Sequence, residues 1–287
     1  MKKLVLACII ACTFGSQLRA QETAQPEKYT AHNKGKFYFY WGGNRETYTK
    51  SDIHFTGKDY DFTLYDVTAH DKPKGWHVDY INPGRMTIPQ TNARIGYFIN
   101  DHYNISAGLD HMKYVMYQDG VVNYSGNYPS KGLYGENVDP SGQPLKNDQI
   151  NLTEDFLTFE HTDGLNYVNL EVARVDDITP LLFKTLNTDK LQINITEGIG
   201  GGFLLPKTNT KLFHKERYDE FHLAGYGAAA KIGLNLTFFK YFFIQTELKG
   251  GYINMPDIRT TYDPADRASQ DFWFLQRIIA FGGIFRI

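Results

Sequence analysis

Three groups of residues in this chain have types that could do chemistry. The first is Glu160-His161-Thr162-Asp163. A histidine two positions from a carboxylate shares its strand face. If the alternation of the following segment runs back through it, His161 and Asp163 also share a face with Asn169 and Glu171. Such a pair supplies a general base and an orienting acid for a hydroxyl nucleophile. The nucleophile is missing from that face, because Thr162 points to the opposite one. A polar loop-to-strand junction accounts for the same residues. The second group is His54, Asp59, Asp61, Asp66, His70, Asp71, His77 and Asp79. These types bind divalent metals, but no two have a ligand spacing, and a charged loop explains them equally. The third is a balanced set, Arg94, Lys231 and Lys249 against Asp110, Glu171 and Glu247. Its meaning depends on which way each strand faces.

The elements that must position these residues are strands. Eight segments have strand character: 36–44, 91–99, 103–117, 165–175, 191–204, 221–238, 241–254 and 272–287. In 221–238 the even positions run Ala224, Tyr226, Ala228, Ala230, Ile232, Leu234, Leu236 and Phe238, while the odd positions are small or polar. In 241–254 Phe242, Ile244, Thr246 and Leu248 alternate with Gln245, Glu247 and Lys249; in 103–117 Ile105, Ala107 and Leu109 alternate with Asn104, Ser106, Gly108 and Asp110. Soluble strands average about 5–6 residues, and these are longer. Their polar faces are rich in Gly and Ala, as a narrow barrel interior requires. The connections are unequal: 100–102 and 239–240 are tight, whereas 45–90 and 118–164 are long. Short turns at one end and long loops at the other mark a membrane barrel. The expected fold is an all-β, antiparallel transmembrane β-barrel of eight strands with long extracellular loops. The count becomes ten if Ile53–Gly57 and Tyr60–Tyr65, a hairpin around Gly57-Lys58, also cross the membrane. Turn 176–190 is longer than its class.

With these faces the six charges point inward. An eight-stranded barrel is filled by its own side chains, and buried charges must be paired. The set is therefore expected to form a salt-bridged plug, with a narrow ion or proton path as the alternative. Near the loop-end rim, His111 and Lys113 are placed to meet lipopolysaccharide phosphates. Gly198-Ile199-Gly200-Gly201-Gly202 has the glycines of a phosphate loop but no following helix, so it reads as close packing within a strand. No motif calls for a cofactor.

The N-terminus, Met1-Lys2-Lys3 followed by apolar residues 4–11 and ending Leu18-Arg19-Ala20, has the pattern of a secretory signal peptide, residues 1–20. Cys12 offers a lipoprotein alternative. Residues 21–35 read as a flexible tail and 36–287 as the barrel. Both cysteines, Cys8 and Cys12, fall in the signal, so the secreted chain has no thiol. Loss of Lys2, Lys3 and Arg19 takes 30 basic residues to 27 against 32 acidic ones, and the balance from −2 to −5. A mildly acidic chain without a basic block is a poor nucleic-acid binder.

Residues 159–166 resemble the His-x-Ser motif of outer-membrane phospholipase and lipid A deacylase, with Asp163 at the serine position. That resemblance implies a lipid-modifying hydrolase or acyltransferase using His161. The C-terminal strand resembles the β-signal of outer-membrane barrels, with Ile287 where Phe is usual. Taken together, Phe37-Tyr38-Phe39-Tyr40-Trp41-Gly42, the run 94–114, His161–Tyr167 and the last strand resemble the uncharacterised small outer-membrane barrels of Bacteroidota. This implies fold and location but no activity. The functional expectation is a non-enzymatic binding, structural or accessory subunit acting through its long loops. Its expected partners are outer-membrane lipids, lipopolysaccharide or a larger outer-membrane complex. The hydrolase and the narrow channel are the alternatives.

Overall fold

A computed structural model describes residues 32–75 and 90–287. Residues 1–20, most of the expected tail, His77 and Asp79 lie outside the described residues. Among the described residues there are sixteen strands: β1 (Phe37–Tyr48), β2 (Ser51–Thr56), β3 (Asp61–Val67), β4 (Ala69–His70), β5 (Thr91–Phe98), β6 (Tyr103–Met112), β7 (Val115–Met116), β8 (Val121–Asn127), β9 (Gln149–Asn151), β10 (Leu157–Glu160), β11 (Leu165–Asp177), β12 (Leu191–Leu204), β13 (Asn209–Leu212), β14 (Gly225–Phe238), β15 (Phe242–Arg259) and β16 (Arg267–Phe285). One helical turn, α1 (Thr179–Leu182), joins β11 to β12.

Strands β1, β5, β6, β11, β12, β14, β15 and β16 pair antiparallel in that order. β16 returns to β1 in unbroken register from Phe37↔Phe285 to Tyr48↔Phe274, which closes the ring. The chain is therefore an all-β, antiparallel transmembrane β-barrel of eight strands. Closure leaves no unpaired barrel edge, the condition for backbone to sit in lipid. No helix among the described residues is long and apolar enough to cross a membrane.

Alternation follows from the pleat. Ile105 and Leu109, Ile232 and Leu234, and Phe242, Ile244 and Leu248 all face outward and are exposed. Their neighbours Asn104, Ser106, Asp110, Lys231, Glu247 and Lys249 are buried inside. Inward glycines make room for large lumenal groups. A Cβ on Gly108 would lie 2.6 Å from the Arg94 guanidinium carbon, and one on Gly200 would lie 2.5 Å from Glu171 Cγ.

Turn geometry separates the two ends. Phe239 and Lys240 both have positive φ, 52° and 69°, the requirement of a two-residue hairpin turn that matches strand twist. The long connection 176–190 is accounted for by α1, with Pro180 in its first turn. Thr179 Oγ1 accepts the Ile193 N–H at 2.7 Å, and Leu181, Leu182 and Phe183 are exposed. At the other end β15 and β16 continue past the ring. There the β2–β3 hairpin pairs with β16 through Ile53↔Gln270 and Thr56↔Arg267. It stands beyond the barrel closure, so it does not add two membrane strands. β8 and β9 extend this sheet, and β13, β10, β7 and β4 form a second one.

The long loops thus fold into a cap with its own core. Ile53, Phe55, Phe62, Leu64, Phe156 and Leu157 are each no more than 1% exposed and belong to one apolar cluster. That cluster continues into the barrel mouth through Tyr167, Ile253, Phe272 and Phe274. A smaller cluster, Tyr38, Tyr40, Phe98, Phe243, Ile278 and Ala280, occupies the lumen toward the turn end.

Candidate functional site

Between these two apolar layers lie the six charges. Lys249 Nζ sits 2.7 Å from Asp110 Oδ2 and 2.7 Å from Glu171 Oε1. Lys231 Nζ bridges Glu171 Oε2 at 2.8 Å and Glu247 Oε1 at 2.9 Å. Arg94 meets Glu171 Oε1 at 2.9 Å. The result is one chain, Asp110–Lys249–Glu171–Lys231–Glu247, with Arg94 on its central carboxylate. Side-chain exposure is 4% or less throughout. All six expected residues are brought together by β5, β6, β11, β14 and β15, and their formal charges cancel.

Neutral groups complete the network. Arg94 donates to Tyr40 Oη at 3.1 Å, Ser106 Oγ at 3.0 Å and Asn169 Oδ1. Asn92 Nδ2 donates to Asp110 Oδ1 at 2.6 Å, and Asn169 Nδ2 to Asp110 Oδ2 at 3.0 Å. Sequence reasoning missed Tyr40. The available signal was its parity with Tyr38 in an aromatic strand whose odd residues face outward. A second polar knot lies above the network, where Gln276 Nε2 donates to Glu46 Oε1 at 2.9 Å and Gln90 donates to both Glu46 and Asp71.

His161 lies in the cap, fully buried, its ring against Tyr114 and Phe159. Burial takes its pKa down to about 3, so the ring is neutral. Nδ1 is 2.9 Å from Thr208 Oγ1, a hydroxyl 47 residues away that sequence spacing could not supply. Asp163 does not join this pair. Its Oδ2 accepts from Asn209 Nδ2 at 3.2 Å, and it is exposed. A base and a hydroxyl are therefore adjacent, without the acid, in a place shielded from solvent.

The His and Asp residues of 45–75 are dispersed. His54 Nε2 pairs with Asp61 at 2.8 Å, Asp52 accepts the Asp66 N–H at 2.9 Å, and His70 Nδ1 bonds the Asp71 carbonyl at 2.7 Å. Among the described residues no three His, Cys, Asp or Glu side chains converge as a metal would need. His111 is buried, its Nδ1 2.7 Å from Asn166 Oδ1. The glycines 198–202 lie inside β12, where even-numbered ones face the lumen.

No family model matches the sequence, and no curated protein is similar to it in sequence. Among solved structures the chain is similar to the outer membrane protein OprG of Pseudomonas aeruginosa, at 11% identity and a TM-score of 0.37, over 90% of this chain and 99% of that one. The N-terminal β-barrel domain of OprF from the same organism matches at 10% identity and TM-score 0.30, over 87% and 98%. Neisserial surface protein A matches at 8% identity and TM-score 0.28, over 85% and 96%. These are likenesses of fold. The barrel assignment itself rests on the chain's own strand pairings.

Proposed function

We propose that this chain is an integral outer-membrane barrel whose lumen is closed by its own side chains, and that it acts through its cap as a non-enzymatic binding or accessory subunit. The observation that carries this is the charge-balanced network across the lumen, with apolar layers on both sides. Each of these six charges has an opposite partner at 2.7–2.9 Å, so the network presents no unpaired charge to a permeant ion. Open channels need around 16 strands. The belt of exposed apolar side chains is the lipid-facing surface. In this reading the N-terminal tail is periplasmic and the cap is extracellular, facing lipopolysaccharide or a larger outer-membrane complex. The test is conductance in planar bilayers combined with a mild-detergent pull-down from native membranes. The expected result is a silent bilayer and a stoichiometric protein or lipid partner. Steady single-channel currents would overturn the closed lumen.

The His161–Thr208 hydrogen bond favours a second reading, an outer-leaflet acyl-transferring enzyme. Burial of both residues and the distant Asp163 weigh against it. A fluorophosphonate probe reports on this directly, and labelling of Thr208 that disappears in His161→Ala would establish the enzyme.

A further inference from the structure

The outer face of the four-stranded cap sheet has a polar hollow that the cap core does not use. In β10 and β13 the pairs Leu157↔Leu212 and Phe159↔Thr210 face inward, while Thr158↔Lys211 and Glu160↔Asn209 face the other way. Beside this second face lies a cavity of about 380 Å³ whose wall joins the polar Gln118, Glu154, Asn209 and Lys211 to the apolar Val115 and Met116. A pocket of this size is within the range of ligand sites.

The polar atoms of this hollow are unevenly satisfied. Asn209 is 7% exposed. Its Nδ2 donates to Thr162 Oγ1 and Asp163 Oδ2, both at 3.2 Å. The carboxylate accepts only, so the amide is fixed with its nitrogen there, and Oδ1 of this cavity-lining residue has no donor. Gln118 Oε1 is likewise buried without a donor. These two oxygens are covered by the protein, so the polar groups open to the hollow are the side chains of its rim, Glu154 and Lys211, both exposed. Lys211 is exposed and has no ion-pair partner among the described residues. Lys211 and Arg217 also wall a neighbouring cleft of about 550 Å³ that contains the half-exposed ring of Tyr262.

We propose that this hollow is a carbohydrate site, taking an oligosaccharide whose hydroxyls enter beside Asn209, Gln118, Glu154 and Glu160 and whose acidic substituent meets Lys211. A hydroxyl both donates and accepts, so it suits a wall that carries carboxylate acceptors and cationic donors together. The exposed Tyr262 ring provides a flat surface on which a sugar ring stacks. This inference rests on the cap being the working surface of a closed barrel.

The experiment uses the full-length protein in detergent micelles on an array of neutral and acidic oligosaccharides, followed by calorimetry on the best binder. Expected is binding of an acidic oligosaccharide, weakened at least tenfold by Glu154→Ala and by Lys211→Ala. Both residues are exposed, so folding should persist, which heat-modifiable gel migration verifies. No glycan signal from folded protein, binding of equal strength in both variants, or capture of basic peptides alone would overturn the proposal. The same preparation is placed in planar bilayers. Silent bilayers without glycan binding reject the carbohydrate site alone, whereas conducting bilayers reject the closed-lumen reading beneath it.

Discussion

Replacing Lys249 with Met tests whether the lumenal charges are held as one balanced set. The ammonium is fully buried and touches two carboxylates at 2.7 Å. Met keeps the length and removes the charge. Asp110, Glu171 and Glu247 then face only Arg94 and Lys231, and one negative charge is uncompensated away from water. Removing one partner of a buried pair costs about 3–5 kcal/mol, a large part of a domain's typical stability of about 5–15 kcal/mol. Adding Asp110→Asn to Lys249→Met restores the balance, with Arg94 and Lys231 facing Glu171 and Glu247. The double variant should therefore be more stable than Lys249→Met alone, and the two single costs should exceed the double by about 2–3 kcal/mol. Urea unfolding of the protein in lipid vesicles, followed by loss of the fast-migrating folded band, measures this. A Lys249→Met cost below about 1 kcal/mol, or strict additivity of the two substitutions, would refute a coupled neutral network.

His161 gives the cap a pH dependence of known sign. Its folded pKa is down at about 3 against about 6.5 in the unfolded chain, so the unfolded state binds the extra proton. Stability is full above pH 6.5 and falls as pH drops toward 3; by pH 4 the loss is about 3 kcal/mol. His161→Leu should flatten that slope in cap unfolding followed by tyrosine fluorescence, and an unchanged slope would show that other groups titrate. Phe62 is 1% exposed and packs on Phe55, Phe156 and Phe213 at ring separations of 5.2–6.0 Å. Phe62→Ala should cost about 3–5 kcal/mol and open the cap to limited proteolysis while the barrel band survives. Gly200→Val should block assembly, since its Cβ would fall 2.3 Å from the Leu170 carbonyl oxygen and 2.5 Å from Glu171 Cγ. Recovery of normal heat-modifiable protein would contradict the close packing.

How much was legible in the sequence follows the range of the interactions involved. A strand's two faces are written in its own alternation, so β6, β14 and β15 could be read with their lumenal residues. The six charges could then be grouped without knowing any distance. The extents were less visible: residues 221–224 alternate like a strand but join the cap, and β15 and β16 run on to Arg259 and back to Arg267. The cap core was not legible. Phe62, Phe156 and Phe213 come from three separate loops, brought together by pairings such as β10 with β13, and no local period marks them. Thr208 was missed as the partner of His161 for the same reason. Asp163 was misleading, because the chain turns at Gly164, φ +138°, before β11 begins. That turn breaks the alternation that would have set Asp163 beside His161.

The division of the molecule also indicates where selection by a partner can act. The barrel exterior is apolar and meets lipid, which distinguishes one acyl chain from another weakly. In the lumen the charged side chains face one another, and Glu171 touches Arg94, Lys231 and Lys249 at once. The cap is different. Its interior is held by an aromatic cluster, and its outer sheet face carries the hollow walled by Glu154, Asn209 and Lys211. A rigid support with a polar hollow on its outer face is the arrangement that favours binding, because little ordering is lost when a ligand arrives. If the cap is the working part, grafting a different loop set onto β15 and β16 should change what is bound without changing the barrel's stability. The lumenal substitutions should do the reverse. Loss of ligand binding in a folded Lys249→Met/Asp110→Asn protein would show that the two parts are coupled, and would move the search for function back into the lumen.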